Sequence, residues 1–302
     1  MADYLDFEDI YQAVMRAIGD AQYARTEEVK AVINAVYLNE ISCCDPLYPP
    51  FWLMEFDDTK KSKTRATITG ATKANPIVIT AAAHGFVDGD VVTFYDMTGM
   101  TELDYRTYVV DWDSANAFHL HDFSGADVDG SAFAAAGTAG YAHHRGIKLT
   151  ACQQVLFANW HGYNKGMESI GPEQLEAQAS WMDKSISRPQ KMMHKQVYTA
   201  AGAQADFLLW YQAADAAYNL RLWYIKMCAR LSATTDVPLL PYQFHDAIIA
   251  GAITRLGENK VQVEDMTVWP SLYKIQVEAL RDYNRTWWKK FKPFERSGLF
   301  LI

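Results

Sequence analysis

Two short helical patterns open the chain. Apolar residues at Leu5, Ile10, Val14 and Ile18, and then at Val29, Val32, Ile33, Val36 and Tyr37, recur at the 3.6-residue spacing of an amphipathic helix. The first helix is predicted to stop near Gly19-Asp20. The second opens at Thr26, with Glu27 and Glu28 bringing negative charge to the positive helix end. Asp45-Pro46 and Pro49-Pro50 then break the chain.

Between about Thr64 and Arg145 the period falls to two. Short alternations at Ala66 to Thr69, Ile77 to Ala81, Asp90 to Tyr95, Tyr105 to Asp111 and Ala117 to His121 predict strands, separated by the turn formers Asn75-Pro76, His84-Gly85 and Asp88-Gly89. The Ala- and Gly-rich stretch Ser131 to Gly140 is either a last edge strand or a flexible exit.

After Gly146 the larger apolar residues return. Lys148 to Phe157 is a strand or a helix, and Pro172 to Met182 a short helix begun by proline. Three further strands are predicted at Lys191 to Thr199, Asp206 to Tyr211 and Leu220 to Arg230. A helix follows Pro241, with Phe244, Ile248, Ile249, Ala252, Ile253 and Leu256 on its stripe and Gly257 at its end; another spans Val263 to Asn284, with Pro270 ending or kinking its first part. The expected fold class is α+β: a helical core with a short antiparallel sheet, built from residues 1–63 and 147–302, plus an inserted small all-β barrel at residues 64–146. Ile33, Val36, Leu208, Trp210, Trp223, Ile225, Ile249 and Ile253 are expected to share one core.

Composition narrows the classes. With 302 residues, 50% apolar and 21% charged, the chain has the makings of a real core. No apolar run approaches the roughly 18 residues of a membrane span, and the first residues are acidic where a secretory leader is basic, so a soluble, unsecreted protein is expected. Cys43, Cys44, Cys152 and Cys228 are too few for a disulfide framework and lack the spacing of a zinc site, which suggests reduced, structural thiols. A net charge of −8 disfavours tight duplex binding, because that affinity comes mostly from neutralising phosphates.

The residues carry no dinucleotide fingerprint, phosphate loop, nucleophile elbow or HExxH motif, so no enzyme activity, cofactor or catalytic residue is expected. His119 with His121, and His143-His144 with His84, are the best metal candidates, but no third ligand is set by spacing and no metal is expected. Asp57-Asp58, Asp88 with Asp90, and Asp127 with Asp129 are more simply turn formers than catalytic carboxylates or calcium ligands. An enzyme would have to gather distant groups, such as an acid with His161 or His194. The C-terminal stretch carries more signal. Trp287, Trp288, Phe291 and Phe294 interleave with Lys289, Lys290, Lys292 and Arg296, and Leu299, Phe300 and Ile302 close the chain; large apolar groups at a chain end are expected to be buried against a partner or against the chain's own core.

Three pieces of the sequence resemble virion proteins of tailed bacteriophages. Leu231-Ser232-Ala233-Thr234-Thr235-Asp236-Val237-Pro238-Leu239-Leu240-Pro241, followed by Tyr242 to Ala252, is similar to the part of head-to-tail adaptors where a strand ends, a Ser-x-x-x-Asp turn follows and a proline starts a helix. Phe207 to Tyr211 and Tyr218 to Lys226 resemble the paired strands of that family, and Leu5 to Ile41 its first helices. The insertion, through Asn75-Pro76, His84-Gly85-Phe86, Gly89-Asp90, Gly99 to Leu103, Tyr108-Val109-Val110 and Phe118-His119-Leu120, resembles a small barrel found in phage virion proteins and in the first catalytic cysteine half-domain of ubiquitin-activating enzymes. Leu103, Tyr108, Val110 and Phe118 are its inward candidates.

The adaptor resemblance implies a helical adaptor core that assembles into a ring, typically a dodecamer, beneath the portal in the neck of the virion, put together in the host cytoplasm. Implied partners are the portal protein, further copies of itself, a tail or nozzle protein and the double-stranded DNA passing through, with no membrane. The implied docking tail is 287–302, with Trp287, Trp288, Phe291, Phe294, Leu299, Phe300 and Ile302 on the portal and Lys289, Lys290, Lys292 and Arg296 touching portal or DNA. The alternative is a receptor- or glycan-binding tail protein using Trp112, Tyr95 and Tyr105 of the barrel.

Overall fold

The computed structural model describes residues 4–19, 25–42, 45, 48–163, 165–171, 186–199, 202–259, 261, 263 and 267–290. Cys43, Cys44 and the helix expected at Pro172 to Met182 lie outside them. The chain divides into two compact units, one of residues 1–55 with 225–302 and the other of residues 56–224.

The first unit is helical. Its elements are α1 (Phe7–Ile18), α2 (Thr26–Ala35) running on into a π-helical stretch (Val36–Ile41), a 3₁₀ turn at Phe51–Leu53, a second at Tyr242–Phe244, α3 (His245–Glu258) and α4 (Trp269–Lys290). Asp6 starts α1 with a reciprocal capping box, its carboxylate accepting from Asp9 N while Asp9 accepts from Asp6 N. Thr26 does not cap α2; its hydroxyl accepts from Tyr11 OH instead, and Arg25 holds the cap position without a side-chain bond. Pro270 neither ends nor kinks a helix. It falls in the first turn of α4, where its missing N–H costs nothing.

α3 is the hub, in contact with α1, α2 and α4. Ala247, Ile248, Ala252, Ile253 and Leu256 join Ile10, Val14, Val29, Ile33, Val36, Val277 and Leu280 in one apolar cluster. Gly251 makes that closeness available: a Cβ there would lie 2.6 Å from Val36 Cγ1 and 2.8 Å from Tyr273 Cε2, inside contact distance.

The second unit is β-rich. With β1 (Met54–Asp57) at the junction come β2 (Ala66–Ile68), β3 (Gly70–Ala71), β4 (Val78–Thr80), β5 (Asp90–Thr98), β6 (Thr107–Ser114), β7 (Ala117–His121), β8 (Ala139–Leu149), β9 (Cys152–Trp160), β10 (Glu168–Ser169), β11 (Lys191–Tyr198), β12 (Gln204–Trp210) and β13 (Leu220–Lys226). One sheet of ten strands runs β10-β11-β12-β8-β5-β6-β7-β4-β3, with β2 also on β8; the other is β1-β13-β9. Only β10 and β11 are parallel in the larger sheet's named pairs.

This overturns the expected fold class. Thirteen strands and four α-helices are found among the described residues, and the sheet of the expected helical adaptor core is neither short nor separate from the inserted strands. The cause is β8. Its first half pairs with β2 (Ala66↔Ala142, Ile68↔Gly140), which continues through Thr69 into β3 on β4, while its second half pairs with β12 (Leu208↔Ile147, Leu209↔Gly146). A strand that crosses residue 146 unbroken joins what the expected division at 146/147 kept apart. The stretch Ser131 to Gly140 leads into this central strand rather than an edge.

The expected single core is also split. Ile33, Val36 and Ile253 lie in the helical cluster with Ile249 half-buried against it, whereas Leu208 and Trp210 belong to a cluster of the β unit with Ile147, Cys152 and Trp160. Phe207 to Tyr211 and Tyr218 to Lys226 are not partners: β12 pairs with β11 and β8, and β13 lies in the three-stranded sheet. Leu103, Tyr108, Val110 and Phe118 do face one interior, packed with Phe86, Val92 and Phe94.

Candidate functional site

The Ser232 to Asp236 turn is a joint. Asp236 Oδ2 accepts from Ser232 N at 2.6 Å, Ser232 Oγ at 3.3 Å and Ala233 N at 2.8 Å, and these bonds hold its carboxyl below the usual carboxylate range. The same turn receives α1: Phe7 N donates to Asp236 O and Glu8 N to Thr234 O, satisfying amides that the first helical turn leaves open. Buried Asn34 fixes the preceding residue from α2, its Nδ2 donating to Leu231 O and its Oδ1 accepting from Leu231 N. Thus the Ser-x-x-x-Asp segment, with Leu231 before it, holds α1 and α2 together ahead of α3 in the chain.

The C-terminal end of α4 is fastened to residues 45–53. Asn284, fully buried, accepts from Phe51 N at 3.2 Å and donates to Tyr48 O at 2.9 Å. Arg285 Nε meets Asp45 Oδ2 at 2.7 Å. Trp288 is 8% exposed and donates Nε1 to Pro49 O at 2.7 Å, and Trp287 stacks on Phe51 with ring centroids 4.6 Å apart. Two of the expected docking aromatics therefore close their own unit, while Lys289 and Lys290 are exposed beyond them. Phe291, Lys292, Phe294, Arg296, Leu299, Phe300 and Ile302 lie outside the described residues.

In the β unit, polar groups gather where β8 changes partners. Val91 pairs with Gly146 and Val92 with His144, so Arg145 is the extra residue of a β-bulge, which bends a strand and re-aims its side chain. Its guanidinium, 1% exposed, donates to Tyr211 O and, at 2.6 Å, to Tyr95 OH. Beside it, Lys63 Nζ meets Asp90 Oδ2 at 2.5 Å, Lys63 N donates to His144 Nδ1, and His144 Nε2 lies 3.2 Å from Asp90 Oδ1. Burial opposes ionisation of Asp90, but His144 and Lys63 outweigh it and hold the carboxyl below its ordinary range. Sequence reasoning missed this group: Asp90 looked like a turn partner of Asp88, and nothing in one dimension marks Lys63 as its counter-ion.

The other candidates disperse. His143 packs on Tyr95, His144 between Phe86 and Trp210, and His84 against Phe118. His121 sits between Asp127 at 2.9 Å and Asp111 at 3.7 Å. Among the described residues no group of three or more His, Cys, Asp or Glu is arranged to hold a metal ion. Asp57 accepts from Thr59 N, and Asp129 from Ser131 N, as turn residues do. His161 is exposed, and His194 meets Asp206 at 3.2 Å. Cys152, behind Asp206, has its thiol pushed up to about 12 by burial and then by the carboxylate, so it is no nucleophile. A shallow cleft of ≈ 230 Å³ lies against β6, lined by Asp88, Gly89, Val109, Val110, Asp111, His121 and Lys148. Of the aromatics assigned to glycan binding, Trp112 and Tyr105 are each 49% exposed, but Tyr95 is buried.

Compared with models of known protein families the chain matches none, and no curated protein matches it.

Proposed function

We propose that the chain is a structural virion protein, a head-to-tail adaptor that rings the underside of a phage portal in the neck of the particle, connects capsid to tail and lets double-stranded DNA pass. The observation that carries this reading is the Ser232 to Asp236 joint. The most specific part of the adaptor resemblance is also a place where two helices are tied by named bonds, Asp236 and Thr234 to α1 and Leu231 to Asn34 of α2. Such a joint suits a part that transmits load without doing chemistry. The net charge of −8 suits a conduit that duplex DNA passes without sticking.

The test is assembly. Light scattering of the full chain alone and mixed with its cognate portal gives a closed ring on the portal if the reading holds; a chain whose mass ignores the portal rejects it. Because Trp287 and Trp288 hold their own unit, the informative truncation starts at Phe291. Removing residues 291–302 is expected to abolish portal binding while the melting temperature stays unchanged.

A second reading, receptor or glycan binding by the β unit, rests on Trp112 and Tyr105, whose exposed rings are suited to stacking on sugars. Glycan binding by the full chain that is lost in Trp112→Ala would favour it.

A further inference from the structure

The cleft beside β6 gathers chemistry from separate strands. Paired strand residues share a face, as do residues two apart along one strand. The pairs Val109↔His121, Val91↔Val109 and Val91↔Gly146 therefore set Val109, Asp111, His121 and Lys148 on one side of the sheet, where with Asp88 and Gly89 they line the ≈ 230 Å³ cleft. Gly89 makes room for the lysine. At φ +80° it accepts from Lys148 N, and a Cβ there would lie 2.7 Å from Lys148 Cβ, so the lysine stem runs over bare backbone.

The walls carry both signs of charge. His121 Nε2 stands 2.9 Å from Asp127 and 3.7 Å from Asp111, and Asp88 Oδ1 accepts from Trp112 N. Lys148 is exposed and, among the described residues, in no ion pair. An anion would be repelled by Asp88 and Asp111, and a cation by Lys148. An apolar ligand would take all these groups out of water and return no hydrogen bond. A neutral ligand rich in hydroxyls suits every one of them, because each hydroxyl can donate to a carboxylate and accept from an ammonium or an imidazole N–H.

The rim supplies an apolar surface. Trp112, bonded through its amide to Asp88, is 49% exposed, and Val87, on the other side of Asp88 in the chain, is 53% exposed. A sugar ring has hydroxyls around its edge and C–H groups on its face, and an indole packs well on that face. The cleft is smaller than the roughly 300 Å³ at which sites for drug-sized ligands begin, which suits one ring rather than an oligosaccharide.

We infer that this cleft binds a single pyranose unit of a glycan, with Asp111 and Lys148 bonding its hydroxyls and Trp112 meeting its ring face. The inference rests on the glycan-binding reading of the β unit and gives that reading its site; it is independent of the adaptor reading.

Saturation-transfer NMR on the full chain tests it, with the methyl pyranosides of glucose, galactose, mannose and N-acetylglucosamine as probes and inorganic phosphate and spermidine as competitors. At least one pyranoside is expected to bind, undisturbed by either competitor. Asp111→Asn and Lys148→Met are each expected to weaken that binding about tenfold at an unchanged melting temperature. Binding that is lost in Trp112→Ala but undiminished in Asp111→Asn and Lys148→Met overturns the cleft while the β unit remains a glycan binder. Displacement by phosphate or spermidine overturns the choice of a neutral ligand. A chain that binds none of the four overturns the inference, and the same chain on an oligosaccharide array then decides the glycan reading separately.

Discussion

At Asp90 desolvation pulls one way and two partners the other. The carboxyl is buried, which favours its neutral form, yet contacts with His144 and Lys63 leave it ionised below its ordinary range. The folded state therefore keeps the charge where the unfolded chain takes up a proton. The stabilisation is full above the ordinary carboxylate range near 3.9 and is lost as pH falls through the lower folded value. Asp90→Asn is expected to cost on the order of 3 kcal/mol at neutral pH, by leaving Lys63 unpaired, with the deficit shrinking below about pH 4. Urea melts of both proteins at pH 7 and pH 3 check it; an equal deficit at both would remove the ion pair from the account. Cys152 is expected to resist iodoacetamide at pH 8 in the native protein and to react once unfolded, because burial and Asp206 hold its thiol protonated. A native Cys152 adduct, mapped by mass spectrometry, would contradict that.

Among the elements, α3 and β8 bear most. Their periodicity is unlike an ordinary surface element because each has neighbours on nearly every side. Ile248, fully buried, is expected to cost about 2–5 kcal/mol as Ile248→Ala, and half-buried Ile249 distinctly less. Thermal melts that reverse the order would rotate the helix. Gly146→Val is expected to be worse than either, because a Cβ there would stand 2.5 Å from the Leu208 carbonyl oxygen, on the backbone of the strand it pairs with. Soluble, native-like Gly146→Val protein would show that β12 can move away. The strands β4 to β7 were legible because their inward residues, such as Ile79, Val92, Val110 and Phe118, fill one interior. β8 was not: Ala139-Gly140-Tyr141-Ala142 has little hydrophobic contrast, and its His143-His144-Arg145 run looks like surface until Asp90, Tyr95 and Tyr211 are brought beside it.

On the scale of the whole chain, residues 56–224 form one uninterrupted unit between two stretches of the other. A chain of residues 56–224 expressed alone is therefore expected to fold, with the near-ultraviolet signal of buried Trp160 and Trp210 retained. An expressed fragment that lacks that signal would make the β unit dependent on the helical one. The helical character of both ends had suggested one core interrupted by an insertion at residues 64–146. That β8 runs through residue 146 to pair with β12 was not legible, because residues 147–224 look like independent strands until that pairing is known.

Local pattern settled what depends on near neighbours. The apolar period of α1, the turns at His84-Gly85 and Gly89-Asp90, and the inward set Leu103, Tyr108, Val110 and Phe118 all follow from interactions within a few residues or from one face of an element. Tertiary structure alone decided which strands pair and which charges meet. Asp90 finds Lys63 across 27 residues and Asn34 finds Leu231 across 197, separations over which composition and period carry no information about contact. α4 carries aliphatic residues on both faces in sequence; only packing against α3 determines that Val277 and Leu280 are core and Ile275 is surface.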